Sequence, residues 1–141
     1  MESTTCLEVQ WLRGYLQVLQ ELVAEVEGAI SALTANALLR FQQHVSRQQA
    51  LVLRLQELTE AASSDCGPGW IAAIDHYQPE LRGAILKAHQ TLAARSRHYA
   101  SLLRRAKRTL DLILAGCRIY SSDYQVPAQF QPQHHALSCE I

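Results

Sequence analysis

The chain has 141 residues, enough for one domain with a modest core, and its 13 Lys and Arg are balanced by 13 Asp and Glu. This balance excludes a global attraction to nucleic acid or to an anionic membrane, so any such role has to be local. Aromatic residues make up only 6% of the chain, and six Gly and four Pro are the only residues that strongly break helices. The remainder is rich in Leu, Ala, Gln, Arg and Glu, which predicts an all-α fold of long helices.

The cysteine positions and the start of the chain predict a reduced, cytoplasmic setting. No two of the four cysteines form a C-x-x-C pair, and Met1 is followed by Glu2 and a hydroxyl-rich run where a secretory signal needs an apolar stretch. The cysteines that fall in predicted helices, Cys6 and Cys117, are expected to be small apolar fillers. The apolar run at residues 110–120 is shorter than the roughly 20 residues that cross a bilayer, so no membrane insertion is expected.

A first helix is predicted over about residues 5–33. Thr5 and Glu8 form a capping-box pattern, in which each side chain can bond an unpaired amide of the first turn. Apolar residues then recur every three or four positions, which is the heptad pattern of a helix that packs along one face. These seam positions are Val9, Leu12, Leu16, Leu19, Val23, Val26, Ile30 and Leu33. Thr34 and Asn36, both suited to helix ends, favour a break before the next helix.

A second helix is predicted over about residues 35–62, with a Gln-rich outer face. Its seam positions are Leu38, Phe41, Val45, Gln48, Val52, Leu55 and Leu58. The stretch SSDCGPG at residues 63–69 contains a Gly-Pro-Gly breaker and predicts the end of this helix. The next stretch, WIAAIDHYQPE, is expected to form a short connector in which Trp70, Ile71 and Ile74 plug one end of a bundle.

The last helix is predicted over about residues 79–120, because Pro79 suits a first helical turn and the apolar spacing then continues. Its seam, with one stutter at Ser96, consists of Leu81, Ile85, Ala88, Leu92, Ser96, Tyr99, Leu103, Ala106, Leu110, Ile113, Cys117 and Tyr120. Residues 121–141 lose the periodicity and are expected to form a flexible tail containing Pro, Gln and His. The chain is therefore predicted to form an elongated antiparallel bundle of three long helices, a single domain at residues 1–120, followed by this tail.

Charge is distributed unevenly between the first and last helices. Residues 95–118 contain seven cations and one carboxylate, a net charge of +6, whereas residues 1–33 contain five glutamates and one arginine, a net charge of −4. Pairing with the acidic first helix is the favoured interpretation of the basic stripe Arg104–Arg108, and an acidic partner or nucleic acid are the alternatives. Neither a recognition helix nor an aromatic stacking platform accompanies the stripe, which makes nucleic acid the least favoured of the three.

No residue pattern indicates catalysis or a metal site. The chain contains no Gly-rich phosphate loop, no H-E-x-x-H motif and no G-x-S-x-G motif. His134, His135 and Cys139 are metal-ligand types, but a structural zinc site needs four ligands held by a scaffold. We therefore expect a protein that is not an enzyme and that has no cofactor and no metal.

The length of the last helix predicts a surface for another protein. It is longer than either helix before it, so one end is expected to project beyond its neighbours and to leave its apolar residues exposed. An exposed apolar stripe on a helix is a common way to bind an amphipathic helix of a partner.

Two stretches of the chain resemble the FlgN-type flagellar type III export chaperones, and the resemblance covers nearly the whole length. The run LQVLQELVAEVEGAISALTANALLRFQQHVSRQQALVLRLQEL is similar to the two leading helices of that family. The run SRHYASLLRRAKRTLDLILAGCRIYSSDYQ keeps the Leu102-Leu103 step and a tyrosine, Tyr120, at the predicted helix end. It departs from the family where Ser96 and Tyr99 replace asparagines. It departs again where Ser121 and Tyr124 replace the glycines of a terminal turn.

The resemblance implies a cytoplasmic chaperone that binds amphipathic C-terminal helices of the hook-filament junction proteins and delivers them to the export gate. It implies a monomer or weak homodimer whose last helix binds the client. The implied client-binding residues are Leu102, Leu103, Ala106, Leu110, Ile113 and Leu114. Tyr120 is the implied contact with the cytosolic domain of the export gate.

Two other functions remain open from the sequence. The heptad seams are also those of a structural or adaptor protein that self-associates as a coiled coil. The basic part of the last helix allows nucleic-acid binding, which predicts strongly salt-dependent retention on DNA. The identity of the client and the stoichiometry are not encoded in any of these patterns.

Overall fold

The computed structural model describes the backbone of residues 2–66 and 79–123 and the side chains of residues 9–64 and 79–121. These residues form three helices and no strand: α1 (Glu2–Thr34), α2 (Leu38–Cys66) and α3 (Pro79–Asp123). With 45 residues, α3 is longer than α1, which has 33, and α2, which has 29. The predicted all-α bundle with a long last helix is confirmed.

A tight turn separates α1 from α2, as the cap residues in this region predict. Asn36 has a φ of 53°, a left-handed conformation that Asn tolerates better than most residues. The Asn36 amide donates to the Leu33 carbonyl at 3.3 Å, and the Ala37 amide donates to the Ala32 carbonyl at 2.9 Å. This pair of bonds is the Schellman motif, which satisfies two carbonyls at the end of a helix and stops it there.

Helix boundaries differ from the prediction by a few residues at the other ends. Because α1 begins at Glu2, Thr5 lies inside its first turns and not at the cap position that the Thr5–Glu8 pattern predicts. The second helix continues to Cys66 and includes Ser63 and Ser64, whose hydroxyls each donate to a carbonyl four residues earlier. These bonds form within a helical backbone, so the two serines do not end the helix.

The three helices run up, down and up. Trp11 Nε1 in α1 donates to the Leu58 carbonyl in α2 at 2.8 Å, near the end of α2, so that these two helices are antiparallel. Tyr15, in the first half of α1, bonds His89, near the start of α3. Further along α3, the Tyr99 ring lies 6.3 Å from the ring of Phe41, near the start of α2. The first half of α3 therefore runs parallel to α1 and antiparallel to α2.

The core of the bundle belongs mainly to α1. Among the side chains that the structure describes, seven of the nine buried apolar residues are in this helix, and Ala62 of α2 and Ala88 of α3 are the other two. The seven are Leu12, Val18, Leu19, Leu22, Val26, Ala29 and Ala32. Every predicted seam position of α1 is buried or half-buried, as expected. The single predicted seam omits Val18, Leu22, Ala29 and Ala32, which a helix needs as a second row when it packs against two neighbours.

A polar cluster around Glu25 fastens α1 to α2. The Glu25 carboxylate lies 2.6 Å from His44 Nδ1 and 3.6 Å from an Arg47 nitrogen, and its backbone carbonyl accepts a bond from Gln48 at 3.1 Å. The His44 ring lies directly over Gly28, where a Cβ atom would overlap it. The polar position that interrupts the seam of α2, Gln48, thus has a structural role.

The chain divides into two compact units, Met1–Leu103 and Arg104–Ile141, with the division inside α3. All the interhelical contacts described above lie in the first unit. The second unit contains the described part of α3 from Arg104 onward. The predicted connector with Trp70, Ile71 and Ile74, and the predicted tail from residue 124 onward, lie outside the described residues.

Candidate partner-binding surface

The apolar seam of α3 changes from covered to exposed along its length. From Leu81 to Tyr99 its apolar positions are buried or half-buried within the bundle. From Leu103, which is 37% exposed, the large apolar side chains of the seam face solvent. The prediction that the last helix leaves apolar residues exposed is confirmed.

The exposed residues are concentrated in Leu110–Tyr120, which we call the apolar segment. Six large apolar side chains there are between 55% and 74% exposed: Leu110, Leu112, Ile113, Leu114, Ile119 and Tyr120. Asp111 and Arg118 are the only charged residues in the segment. A single exposed leucine is ordinary, but six within three helical turns form the kind of patch that normally binds another surface.

The residues predicted to bind a client differ in accessibility. Leu110, Ile113 and Leu114 are each more than half exposed, whereas Leu102 and Ala106 are half-buried. Their spacing of three and four residues places them along one side of the helix, which we call the seam side. The solvent-accessible residues of the seam side are therefore the later ones, Leu110, Ile113 and Leu114. The binding role of these residues stays a prediction.

Two exposed residues, Leu112 and Ile119, were missed because they occupy no heptad position. They are seven residues apart and share one side of the helix, roughly 160° from Leu110 at about 100° per residue. Leu112 is the most exposed large apolar residue of the described chain, at 74%. The signal that would have found them is the scarcity of charge in Leu110–Tyr120, which makes the segment apolar on two sides.

The end of α3 corrects two predictions. The helix continues to Asp123, so Tyr120 does not end it. No Gly or Pro interrupts residues 121–123, and the Ser121 hydroxyl donates to the Arg118 carbonyl at 3.0 Å inside the helix. The Tyr120 ring is exposed, and its role at an export gate stays a prediction. Cys117 is also exposed, which contradicts its interpretation as an apolar filler.

The cations of the stripe Arg104–Arg108, which we call the basic segment, are all exposed. Among the residues that the structure describes, none of these four side chains forms an ion pair with a carboxylate. Arg95, by contrast, lies 2.9 Å from Glu27 of α1. Pairing within the molecule therefore accounts for Arg95 but not, within the described residues, for the basic segment.

Other clusters in the described residues do not form a comparable site. A shallow depression between α1 and α2 is lined by Glu21, Ala24, Glu25, Arg47, Ala50 and Leu51. Its main charged groups already contact each other, because Glu25 is held by His44 and Arg47. No group of three or more His, Cys, Asp or Glu is placed to hold a metal within residues 2–66 and 79–123. His134, His135 and Cys139 lie outside the described residues.

Two tyrosines have altered acidity for structural reasons. Burial raises the pKa of Tyr15 and of Tyr99 above the ordinary value of 10.0, because the phenolate is poorly solvated there. Tyr15 stacks on Trp11, and Tyr99 packs beside Phe41. Both rings belong to contacts of the bundle, so these shifts do not indicate a reactive site.

No helix among the described residues combines the length and hydropathy needed to span a bilayer.

Comparison with known proteins identifies no relative of this chain. Searches against protein-family models, curated proteins and solved structures find no match.

Proposed function

We propose that this protein is a cytoplasmic chaperone that captures an amphipathic helix of a client on the apolar segment of α3. In its specific form, the proposal is an export chaperone of the FlgN type. Its clients are then the hook-filament junction proteins, and Tyr120 contacts the export gate. The observation that carries the proposal is the exposure of six large apolar side chains within Leu110–Tyr120.

The spacing of the exposed residues supports a helix as the ligand. Leu110, Ile113, Leu114 and Cys117 follow the i, i+3, i+4, i+7 pattern, which forms a continuous apolar stripe along a helix. A client helix laid along this stripe removes apolar surface from water on both partners, at about 25 cal/mol per Å². A site of this kind holds a client without chemical catalysis, and it keeps the client's own apolar face from pairing elsewhere.

The layout of the chain supports the specific form of the proposal. Two leading helices, a longer last helix and an exposed tyrosine near its end match what the resemblance implies. The residues at 121–124, Ser-Ser-Asp-Tyr, replace the expected glycine-containing turn, and the helix extends to Asp123. The proposed gate contact therefore depends on Tyr120 presented from a helix.

Co-expression with tagged hook-filament junction proteins, followed by pull-down, tests the proposal. The wild-type chain is expected to be retained, and Leu110→Asp is expected to reduce the affinity about tenfold or more, because it places a charge within the apolar stripe. Leu53→Asp is the matched control, since Leu53 of α2 is 61% exposed and Leu110 is 58% exposed. The proposal is contradicted when both variants are retained at wild-type levels. It is also contradicted when neither the wild type nor either variant is retained.

Self-association through the same segment is the second candidate, because exposed apolar stripes also pair with copies of themselves. Light scattering over a range of concentrations separates the two functions. A monomer or weak dimer that binds a client supports the chaperone. A stable oligomer at all concentrations that Leu110→Asp dissociates, and that binds no client, supports a structural coiled-coil protein.

A further inference from the structure

The basic segment and the apolar segment are consecutive on α3 and together span Arg104–Tyr120. This stretch has 17 residues, about 25 Å of helix at 1.5 Å per residue. We propose that its ligand is an acidic amphipathic helix of similar length, with its carboxylates clustered at the end that lies over Arg104–Arg108. This inference rests on the proposed helix-capture function and adds the charge and the orientation of the ligand.

The placement of charge beside the stripe supports this ligand. At about 100° per residue, Arg104, Lys107 and Arg118 fall within roughly 60° of each other, along one edge of the seam side. Asp111 lies on the same edge, just beyond the basic segment. A carboxylate of the ligand is therefore attracted where it lies above Arg104 and Lys107, and it is repelled by Asp111 one turn further along. Such a pattern selects both the charge and the direction of a ligand helix.

A second copy of this chain fits the same surface less well. Residues 104–123 contain five cations and two carboxylates, a net charge of +3. Pairing two copies in parallel places the two basic segments side by side. An antiparallel pair places each basic segment opposite residues whose only carboxylate is Asp123. In both arrangements like charges accumulate, whereas an acidic ligand neutralises them.

Nucleic acid and lipid also bind basic helices, but they leave parts of this surface unsatisfied. A phosphate backbone contacts the cations and leaves six large apolar side chains in water. A helix that lies on a membrane surface needs a polar side opposite its apolar side. Here Leu112 is 74% exposed on the side opposite the seam. A helical protein ligand on the seam side can cover the cations at its edge together with Leu110, Ile113 and Leu114.

Two synthetic peptides test the inference with the purified full-length chain. Both have 17 residues and the same i, i+3, i+4, i+7 leucine stripe, and they differ only in four charged positions at one end, Glu in one and Lys in the other. Their affinities are measured by fluorescence anisotropy at about 50 and 300 mM salt. The Glu peptide is expected to bind about tenfold more tightly at the lower salt, because several exposed charge pairs act together. The difference is expected to shrink at the higher salt.

Paired variants assign the selectivity to the basic segment. The double variant Arg104→Gln/Lys107→Gln is expected to bind both peptides with nearly equal affinity. The control double variant Arg40→Gln/Arg54→Gln removes two exposed cations from α2 and is expected to keep the preference for Glu. Leu110→Asp is expected to weaken both peptides, since it affects the stripe that they share.

The outcomes separate this inference from the function on which it rests. Equal binding of the Glu and Lys peptides by the wild type overturns the acidic ligand and leaves helix capture in place. Absence of binding by both peptides overturns helix capture as well. The inference is overturned in favour of an anionic surface if phosphatidylserine vesicles or a DNA duplex bind more tightly than the Glu peptide and Arg104→Gln/Lys107→Gln loses that binding. A dimer that excludes both peptides overturns it in favour of a second copy.

Discussion

The two parts of α3 differ in burial although they continue one seam. Within the first unit Ala88 is buried and Tyr99 is half-buried against Phe41, whereas Leu110 and Ile113 of the second unit are more than half exposed. The spacing of apolar residues is similar in both parts. The difference teaches that periodicity sets which side of a helix is apolar, while burial depends on whether neighbouring helices cover that side. Stability is therefore expected to reside in the first unit and binding in the second.

Truncating a core leucine has the largest expected effect on stability. Leu19 is completely buried at the centre of α1. Leu19→Ala is expected to lower the free energy of unfolding by about 3 kcal/mol, through lost apolar burial and the cavity that remains. Leu112→Ala, the same change at an exposed position of the apolar segment, is expected to change it by less than about 0.5 kcal/mol. Urea denaturation followed by circular dichroism measures both.

Equal destabilisation by Leu19→Ala and Leu112→Ala would contradict the conclusion that stability resides in the first unit. It would mean that the apolar segment is covered in the folded chain and is not available to a ligand. A larger change in ligand binding for Leu112→Ala than for Leu19→Ala, measured below the unfolding transition, would sharpen the comparison.

Adding one methyl group at two glycines has an intermediate expected effect, with opposite signs. In Gly28→Ala the new Cβ overlaps the His44 ring, which has to move away from Glu25. The cost of overpacking, partly offset by the better helix propensity of Ala, is expected to leave a net loss of about 1–2 kcal/mol. Gly116→Ala meets nothing within 4 Å and is expected to increase helicity without loss of stability. Thermal denaturation and the circular-dichroism signal at low temperature provide the two readouts.

The double variant Gly28→Ala/His44→Ala is the control for the proposed overlap. Removing the imidazole makes room for the new Cβ, so the second substitution is expected to cost less in the Gly28→Ala background than in the wild type. Strictly additive losses would show that the contact between Gly28 and His44 does not limit the packing of α1 on α2.

The smallest expected effect is a change in alkaline stability. Burial raises the pKa of Tyr99 above 10.0, so the phenol loses its proton more readily in the unfolded chain than in the folded one. Below about pH 10 the Tyr99 phenol keeps its proton and the folded chain is not penalised. As the pH rises above this value, ionisation of the phenol favours the unfolded chain and stability is lost. Tyr99→Phe is expected to reduce that loss between neutral pH and about pH 11. Tyr120→Phe, at an exposed ring, is expected to leave it unchanged. Urea midpoints at both pH values provide the measurement, and identical behaviour of the two variants would contradict it.

The sequence predicted the helices and the apolar spacing of each, because these depend on local order along the chain. The seam of α2 was predicted only in part, since its positions Leu38 and Val52 are 67% and 42% exposed. The 3-4 spacing from Val9 to Leu33 identified covered positions of α1, and Thr34 and Asn36 indicated the turn that follows. The second buried row of α1, which includes Val18 and Leu22, was not predicted. A second row depends on how many neighbours pack against the helix, and the spacing within one helix does not report their number.

The candidate surface was predicted in part. The seam positions Leu110, Ile113 and Leu114 are exposed, as the excess length of the last helix suggested. Leu112 and Ile119 were missed because a heptad describes one side of a helix only. The end of the helix was placed at Tyr120 because the apolar spacing stops there. The backbone continues to Asp123, since serine and aspartate end a periodic pattern without breaking a helix.

The concentration of the core in α1 has a consequence for synthesis on the ribosome. This helix leaves the ribosome before either of the helices that cover it, so its two apolar rows stay unpaired until α2 has also emerged. The α1–α2 pair is local in sequence and joined by three residues, Ala35–Ala37, so it can form early by a rapid hairpin closure. The contacts of α1 with α3, such as Tyr15 with His89 and Glu27 with Arg95, have to wait until α3 has been made. During that interval the apolar surface of the nascent chain is exposed, which is when a partly folded chain is most prone to aggregate.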